Sequence, residues 1–248
     1  MTRSRIKASS LNVHFIFLFA VSCIFCSCEK EEPVKPLPLT DTVTDIENHS
    51  YKTVKIGQKW WMAENLAVTK FRNGTAINQF QNTSDWNSGS PAYCVYDNNS
   101  TAPGLLYNWA AVNSADLIAP AGWHVATEED WKALEKELGM TDSTIEKLNW
   151  RENGNCGDKL KIAGTQGWSG YSGVWGSNES GFTALAGSCR LFNGIWGNPG
   201  LFATGFWWTA SENDGSTAWY RHLDYKKSGV FRFYGPKNYG FSVRCVKD

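Results

Sequence analysis

From residue 50 onward, short apolar runs alternate with turn residues, and the spacing within each run predicts an element. The runs 54–56 and 60–62 flank Gly57 and Gln58, a pattern that predicts a hairpin closed by a tight turn. In "GLLYNWAAV" (104–112), Leu105, Trp109 and Val112 recur at helical spacing, which predicts a short helix. The clearest helix lies in "ATEEDWKALEKELGM" (126–140). Thr127 is placed to cap it, Asp130 stands at its third position, and Glu128 and Glu129 favour the positive end of the dipole. Trp131, Leu134 and Leu138 form its apolar stripe, and Gly139 ends it.

Beyond residue 150 the texture changes to Gly, Trp, Ser and Asn without a regular period, which predicts long irregular loops pinned by aromatic rings. Order returns at the end of the chain. "FWWTAS", "TAWYRHLDY", "GVFRFY" and "YGFSVRCVKD" read as strands, separated by "ENDG", "KKSG" and "GPKN"; turn-linked strands at this spacing make an antiparallel meander. Along 219–225, Trp219, Arg221, Leu223 and Tyr225 face one way, and Tyr220, His222 and Asp224 the other. By the same rule Trp207 and Trp208 point to opposite faces. One belongs in a core, and the other raises the question of an exposed sugar-stacking ring.

Residues 1–27 have a different pattern. Arg3, Arg5 and Lys7 precede an apolar run from Leu11 to about Phe25, followed by small residues, the layout of a bacterial export signal. The run is short and interrupted for a membrane span. "FCSCEKEEP" then sets Ser27 before Cys28 and an acidic, Pro-containing segment after it, which resembles the lipidation site of bacterial lipoproteins; Cys23 is the competing position. The "EKEE" run is similar to the surface-export tag of Bacteroidetes-type lipoproteins, so the expected location is the outer membrane, lipid-anchored and facing outward. Residues 28–49 read as the lipidated Cys28 and a flexible stalk, and 50–248 as one domain.

Composition sharpens this picture in two places. Without the three leader cations the chain is net acidic by three charges and carries no basic stripe, which excludes nucleic acid as a partner. Thirteen Trp residues are far more than usual and can fill a core even where regular structure is short.

Several stretches, in order along residues 51–248, resemble the Fibrobacter succinogenes major paralogous domain: "TVKIGQKWWMAENL", "YCVYDNN", "GLLYNWAAV", "PAGWHVATEEDWKAL", "FWWTASE" and "GFSVRCVKD". The resemblance implies an α+β, C-type-lectin-like fold: two helices, twisted antiparallel sheets, long Gly- and Trp-rich loops and chain ends that come together. It implies little about activity, since lectin-like folds host sugar binding, protein binding and, in formylglycine-generating enzymes, catalysis.

The residues themselves supply no catalytic constellation. His49, His124 and His222 lack metal-ligand spacing; His124 reads as a hydrogen-bonded structural residue and His222 as a surface strand residue. No metal or cofactor is expected. Cys94, Cys156, Cys189 and Cys245 lack CxxC spacing, and in an exported protein they are candidates for disulfides. The formylglycine-generating enzymes need an active-site Cys pair that matches nothing here, which makes an enzyme the weakest expectation. "SENDGS" (211–216) offers oxygen donors but reads as a hairpin turn rather than a calcium loop. The Glu-Pro-Asn or Gln-Pro-Asp triplet of sugar-binding lectins is also missing, the nearest stretch being "GPKN" (235–238). Most Trp residues, including Trp60, Trp109, Trp131 and Trp207, are expected in the core. Those in the Gly-rich loops, Trp168, Trp175 and Trp196, with Tyr171 and Asn178, form the expected ligand surface. The expected function is a lipid-anchored binding module for a glycan or a surface protein. The alternative is a building block or cap of a surface assembly.

Overall fold

Residues 40–44, assigned above to the stalk, are the first strand of the fold. In the computed structural model, which describes residues 37–98, 102–164, 167–170, 176–197 and 201–248, β1 (Thr40–Thr44) pairs antiparallel with β2 (Ser50–Ile56). Its sequence, TDTVT, has β-branched residues that suit a strand but no buried face, so alternation does not reveal it. Asp45 closes the turn that follows: Oδ1 accepts from the backbone N–H groups of Glu47 and His49, and Oδ2 from the Tyr51 hydroxyl. The folded unit therefore spans Leu37–Asp248 and takes in residues that composition had placed in the tether.

β2 continues into β3 (Lys59–Met62) through the predicted two-residue turn, Ile56 opposite Lys59, with Gly57 at φ +59°. β12 (Cys245–Lys247) and β7 (Trp123–Val125) complete a five-stranded sheet in the order β1-β2-β3-β12-β7, so both ends of the unit lie in one sheet. The first three of the predicted terminal strands form a meander in a second sheet, β8-β11-β10-β9, from β8 (Asn149–Arg151), β9 (Thr204–Glu212), β10 (Thr217–Asp224) and β11 (Val230–Pro236), whereas the fourth, in "YGFSVRCVKD", is β12 of the first sheet. A third, small sheet joins β4 (Asn78–Gln79), β5 (Ala92–Cys94) and β6 (Leu106–Tyr107).

Helices among the described residues are few and short: α1 (Thr83–Trp86), α2 (Trp109–Val112), α3 (Glu128–Glu137), α4 (Asp142–Ile145) and α5 (Cys156–Leu160). None is long and apolar enough to cross a membrane. α3 forms as predicted, with a complete capping box between Thr127 and Asp130. The helix expected over 104–112 is reduced to one turn. Leu106 and Tyr107 are drawn into the third sheet, and the Asn108 side chain then caps the backbone N–H of Ala111.

Two large apolar clusters lie on either side of β9. Trp207 belongs to one, 6.4 Å from the Trp131 ring and 6.5 Å from Phe182, which pack with Trp61 at 5.4–5.8 Å. Trp208 belongs to the other, 4.3 Å from the Phe241 ring. Both indoles are fully buried, and both N–H groups are satisfied, by Asn65 Oδ1 and by the carbonyl of Tyr107. Neither is a sugar platform. Each such buried ring contributes about 2–3 kcal/mol, which a loop-rich chain needs.

The four cysteines do not form disulfides. Cys94, Cys156, Cys189 and Cys245 are free and buried: Cys156 packs in the Trp207 cluster, Cys189 and Cys245 in the Trp208 cluster, and Cys94 in a third small one. They serve as small apolar side chains. Burial pushes the Cys94 and Cys156 thiols up to about 11.

Between α3 and the meander lies a buried ionic network. Arg221 bridges Glu128 and Glu135, Arg151 makes a two-toothed pair with Glu135 at 2.6 and 2.8 Å, and Arg232 donates to Glu128 at 2.6 Å. Burial alone would raise the Glu128 carboxyl, but Arg221 and Arg232 hold it below the usual range. A second buried cation, Arg244, donates to Asn65 and to the carbonyls of Met62, Phe182 and Thr183.

Candidate functional site

Three of the side chains expected to bind ligand, Trp168, Asn178 and Trp196, lie among the described residues, and each makes structural contacts. Trp168 is a core ring: it is buried, its N–H donates to the Ala184 carbonyl at 2.8 Å, and the Lys161 ammonium covers it at 5.5 Å. Asn178 sits at φ +51° and spends both amide atoms on Thr183, fixing a turn. Trp196 is half-buried against Tyr96 and the Arg190 guanidinium. Tyr171 and Trp175 lie outside the described residues, as do Cys23 and Cys28.

The histidines divide. His124 has the expected structural role, with Nε2 at 3.0 Å from Asp130 and Nδ1 at 2.7 Å from Asp248. Asp130 also takes the Lys59 ammonium and the Thr127 hydroxyl, and these partners outweigh burial and lower its carboxyl. His222 is half-buried rather than open on the surface. Its ring stacks on Phe206 at 4.1 Å and against Trp150 and Phe231, because the outer face of the meander is itself aromatic. Burial, with the nearby Lys161 charge, pushes its imidazole down to about 3. The "NDG" stretch is a turn as expected: Asp214 Oδ1 accepts from the Ser216 and Thr217 backbone and the Ser216 hydroxyl.

A cleft forms instead around "GPKN". The one-turn helices α1 and α2 are each capped at the start by an asparagine side chain, Asn82 and Asn108, and each ends on another, Asn87 and Asn113. The chain leaving β11 packs between them. Trp86 donates to the Asn238 carbonyl at 2.7 Å, and the Trp109 backbone N–H to that of Lys237 at 2.9 Å. The resulting cavity of about 320 Å³ is walled by Trp86, Asn108, Trp109, Asn113, Lys237 and Asn238, with Gly89 and Ala110. Its rim is a relay of amides: Asn238 donates to Asn87 Oδ1 at 3.0 Å, and Asn87 donates to the Phe192 carbonyl at 2.7 Å. Phe192, 48% exposed, stacks on Tyr239 at 6.3 Å with the planes 16° apart. Lys237 is pinned to Glu212 and lies 4.6 Å over the Trp109 ring. Trp86 is fully buried with Arg190 over its face, so the indoles offer edges to the cleft. Asn108 is spent on the backbone of Ser90, Ala92 and Ala111, so the lining supplies the Asn113 and Asn238 amides, apolar edges and a neutralised cation.

The family model of the Fibrobacter succinogenes major domain matches residues 54–247. The chain belongs to this family. No curated protein and no solved structure matches it. The match begins after β1, so β1 precedes the matched part of this Fibrobacter succinogenes major domain. The cleft lies within it. Sequence reasoning passed over Lys237 and Asn238 because "GPKN" lacks the lectin triplet. The available signal was a polar tetrad between two apolar strands, with asparagines at the ends of both short helices.

Proposed function

We propose that this domain is a binding module held at the outer surface of the outer membrane by a lipidated Cys28, with a C-type-lectin-like fold and a glycan as ligand. The observation that carries the ligand class is the cleft around Lys237 and Asn238, where amides from three segments meet beside the exposed Phe192, stacked on the half-buried Tyr239. Amides match sugar hydroxyls as donors and acceptors, and an exposed aromatic face matches the apolar side of a sugar ring. The leader and the acidic run after Cys28 support the location.

Two measurements test the reading. The chain from residue 28 with Cys28→Ser, which stays in solution, is screened on glycan arrays; a hit weakened by Asn238→Ala and Phe192→Ala is expected, and an empty array removes the glycan. The mass of the mature N-terminus, with Cys28→Ala as control, reports lipidation, and an unmodified, uncleaved chain removes the anchor.

A further inference from the structure

We infer that the cleft continues past Asn113 into a second depression, and that the two together take a chain of linked neutral sugars rather than a single ring. The inference rests on the glycan reading above and extends it. Asn113, the residue that ends α2, lines both cavities, the first of about 320 Å³ and the second of about 430 Å³. α2 is their shared rim, with Trp109 and Ala110 on one side and Val112 on the other. Sites for small ligands run from roughly 300 to 1,000 Å³, so the first cavity stands near the lower bound and the adjoining pair well inside it.

The second depression differs in character. Val112, Leu117 and Ala210 supply its apolar wall, and Leu117 is set at its edge in an unfavourable way. That leucine has φ +58° and is 45% exposed, held by its own N–H on Ser114 and by the Arg72 N–H on its carbonyl. A left-handed leucine costs of order 1–2 kcal/mol, and such strain is concentrated at ligand contacts.

Charge selects the class of chain. In the first cavity Lys237 is paired with Glu212; in the second, both nitrogens of His124 face carboxylates, Asp130 and Asp248. Neither lining side chain offers an uncompensated charge, so a neutral oligosaccharide is matched and a polyanion is not.

The test uses the chain from residue 28 with Cys28→Ser and neutral oligosaccharides of one, two, four and six residues, with affinity measured by calorimetry. Affinity is expected to rise about tenfold or more between the short and the four-residue probes. Leu117→Asp should abolish that gain and leave short-probe affinity unchanged. Ala115→Trp, at an exposed position lining the second depression, should do the same without adding a charge. Asn238→Ala should weaken every probe. Affinity independent of length, or a length effect that survives both second-depression variants, overturns the inference and leaves the glycan reading standing. Failure of every probe to bind overturns both.

Discussion

Arg221 and Glu135 meet at 2.6 Å with both side chains fully out of solvent, joining β10 to α3. Removing one partner strands the other in a low-dielectric site, so Glu135→Gln and Arg221→Met are each expected to cost about 3–5 kcal/mol. Urea melts of the single variants check this. A loss under about 1 kcal/mol would mean the network is open to water.

Acid should loosen the same network. The Glu128 carboxyl is held below its unfolded value, so its contribution is present above the unfolded pKa and is lost as pH falls through the folded one. Wild-type stability should therefore drop more steeply below about pH 4 than that of Glu128→Gln, compared by thermal melts across pH.

His222 titrates in the opposite chemical sense with the same direction in pH. Its imidazole is pushed down to about 3 in the folded chain, so the unfolded chain binds the extra proton between there and its ordinary value near 6.5. Stability is full above that ordinary value and declines as pH falls, by up to about 1.4 kcal/mol per pH unit. His222→Phe keeps a ring between Phe206 and Phe231 and should flatten this part of the profile. Equal slopes for the two proteins between pH 6.5 and 4.5 would refute the assignment.

The four buried thiols should behave as core, not as crosslinks. A maleimide should label none of Cys94, Cys156, Cys189 and Cys245 in the native chain carrying Cys28→Ser, and all four once it is denatured. A reductant should leave the melting temperature unchanged; a fall on reduction would show a disulfide.

Asn65 ties two buried groups at one oxygen, accepting from Trp207 at 2.9 Å and from Arg244 at 2.7 Å. Asn65→Ala leaves both donors without that acceptor, at an expected cost of about 3 kcal/mol or more in urea melts. Asn65→Asp, which keeps the oxygen, should retain most of that stability.

Local signals in the sequence revealed what local physics decides. α3 was legible because its cap, its stripe and its stop are contained in about a dozen residues. The β2–β3 turn and the meander were legible for the same reason. β1 was not, since an edge strand with no buried face carries no alternation. The helix over 104–112 was overstated, because pairing of Leu106 and Tyr107 with β5 overrode their helical spacing. The Arg–Glu network was hidden because Arg221 reaches partners 86 and 93 residues away. Of the loop tryptophans, Trp168 is buried and Trp196 is partly covered, which their Gly-rich setting does not reveal. The cleft depends on asparagines, which look like ordinary caps until tertiary packing brings them together.

Trp207 and Trp208 are successive residues, yet each lies at the centre of a different apolar cluster. β9 is therefore a party wall shared by both halves of the domain. A pull that peels β9 from either half uncovers the indole packed into that half. Force applied across the domain would thus meet both halves at once, and yielding should come as one event rather than two.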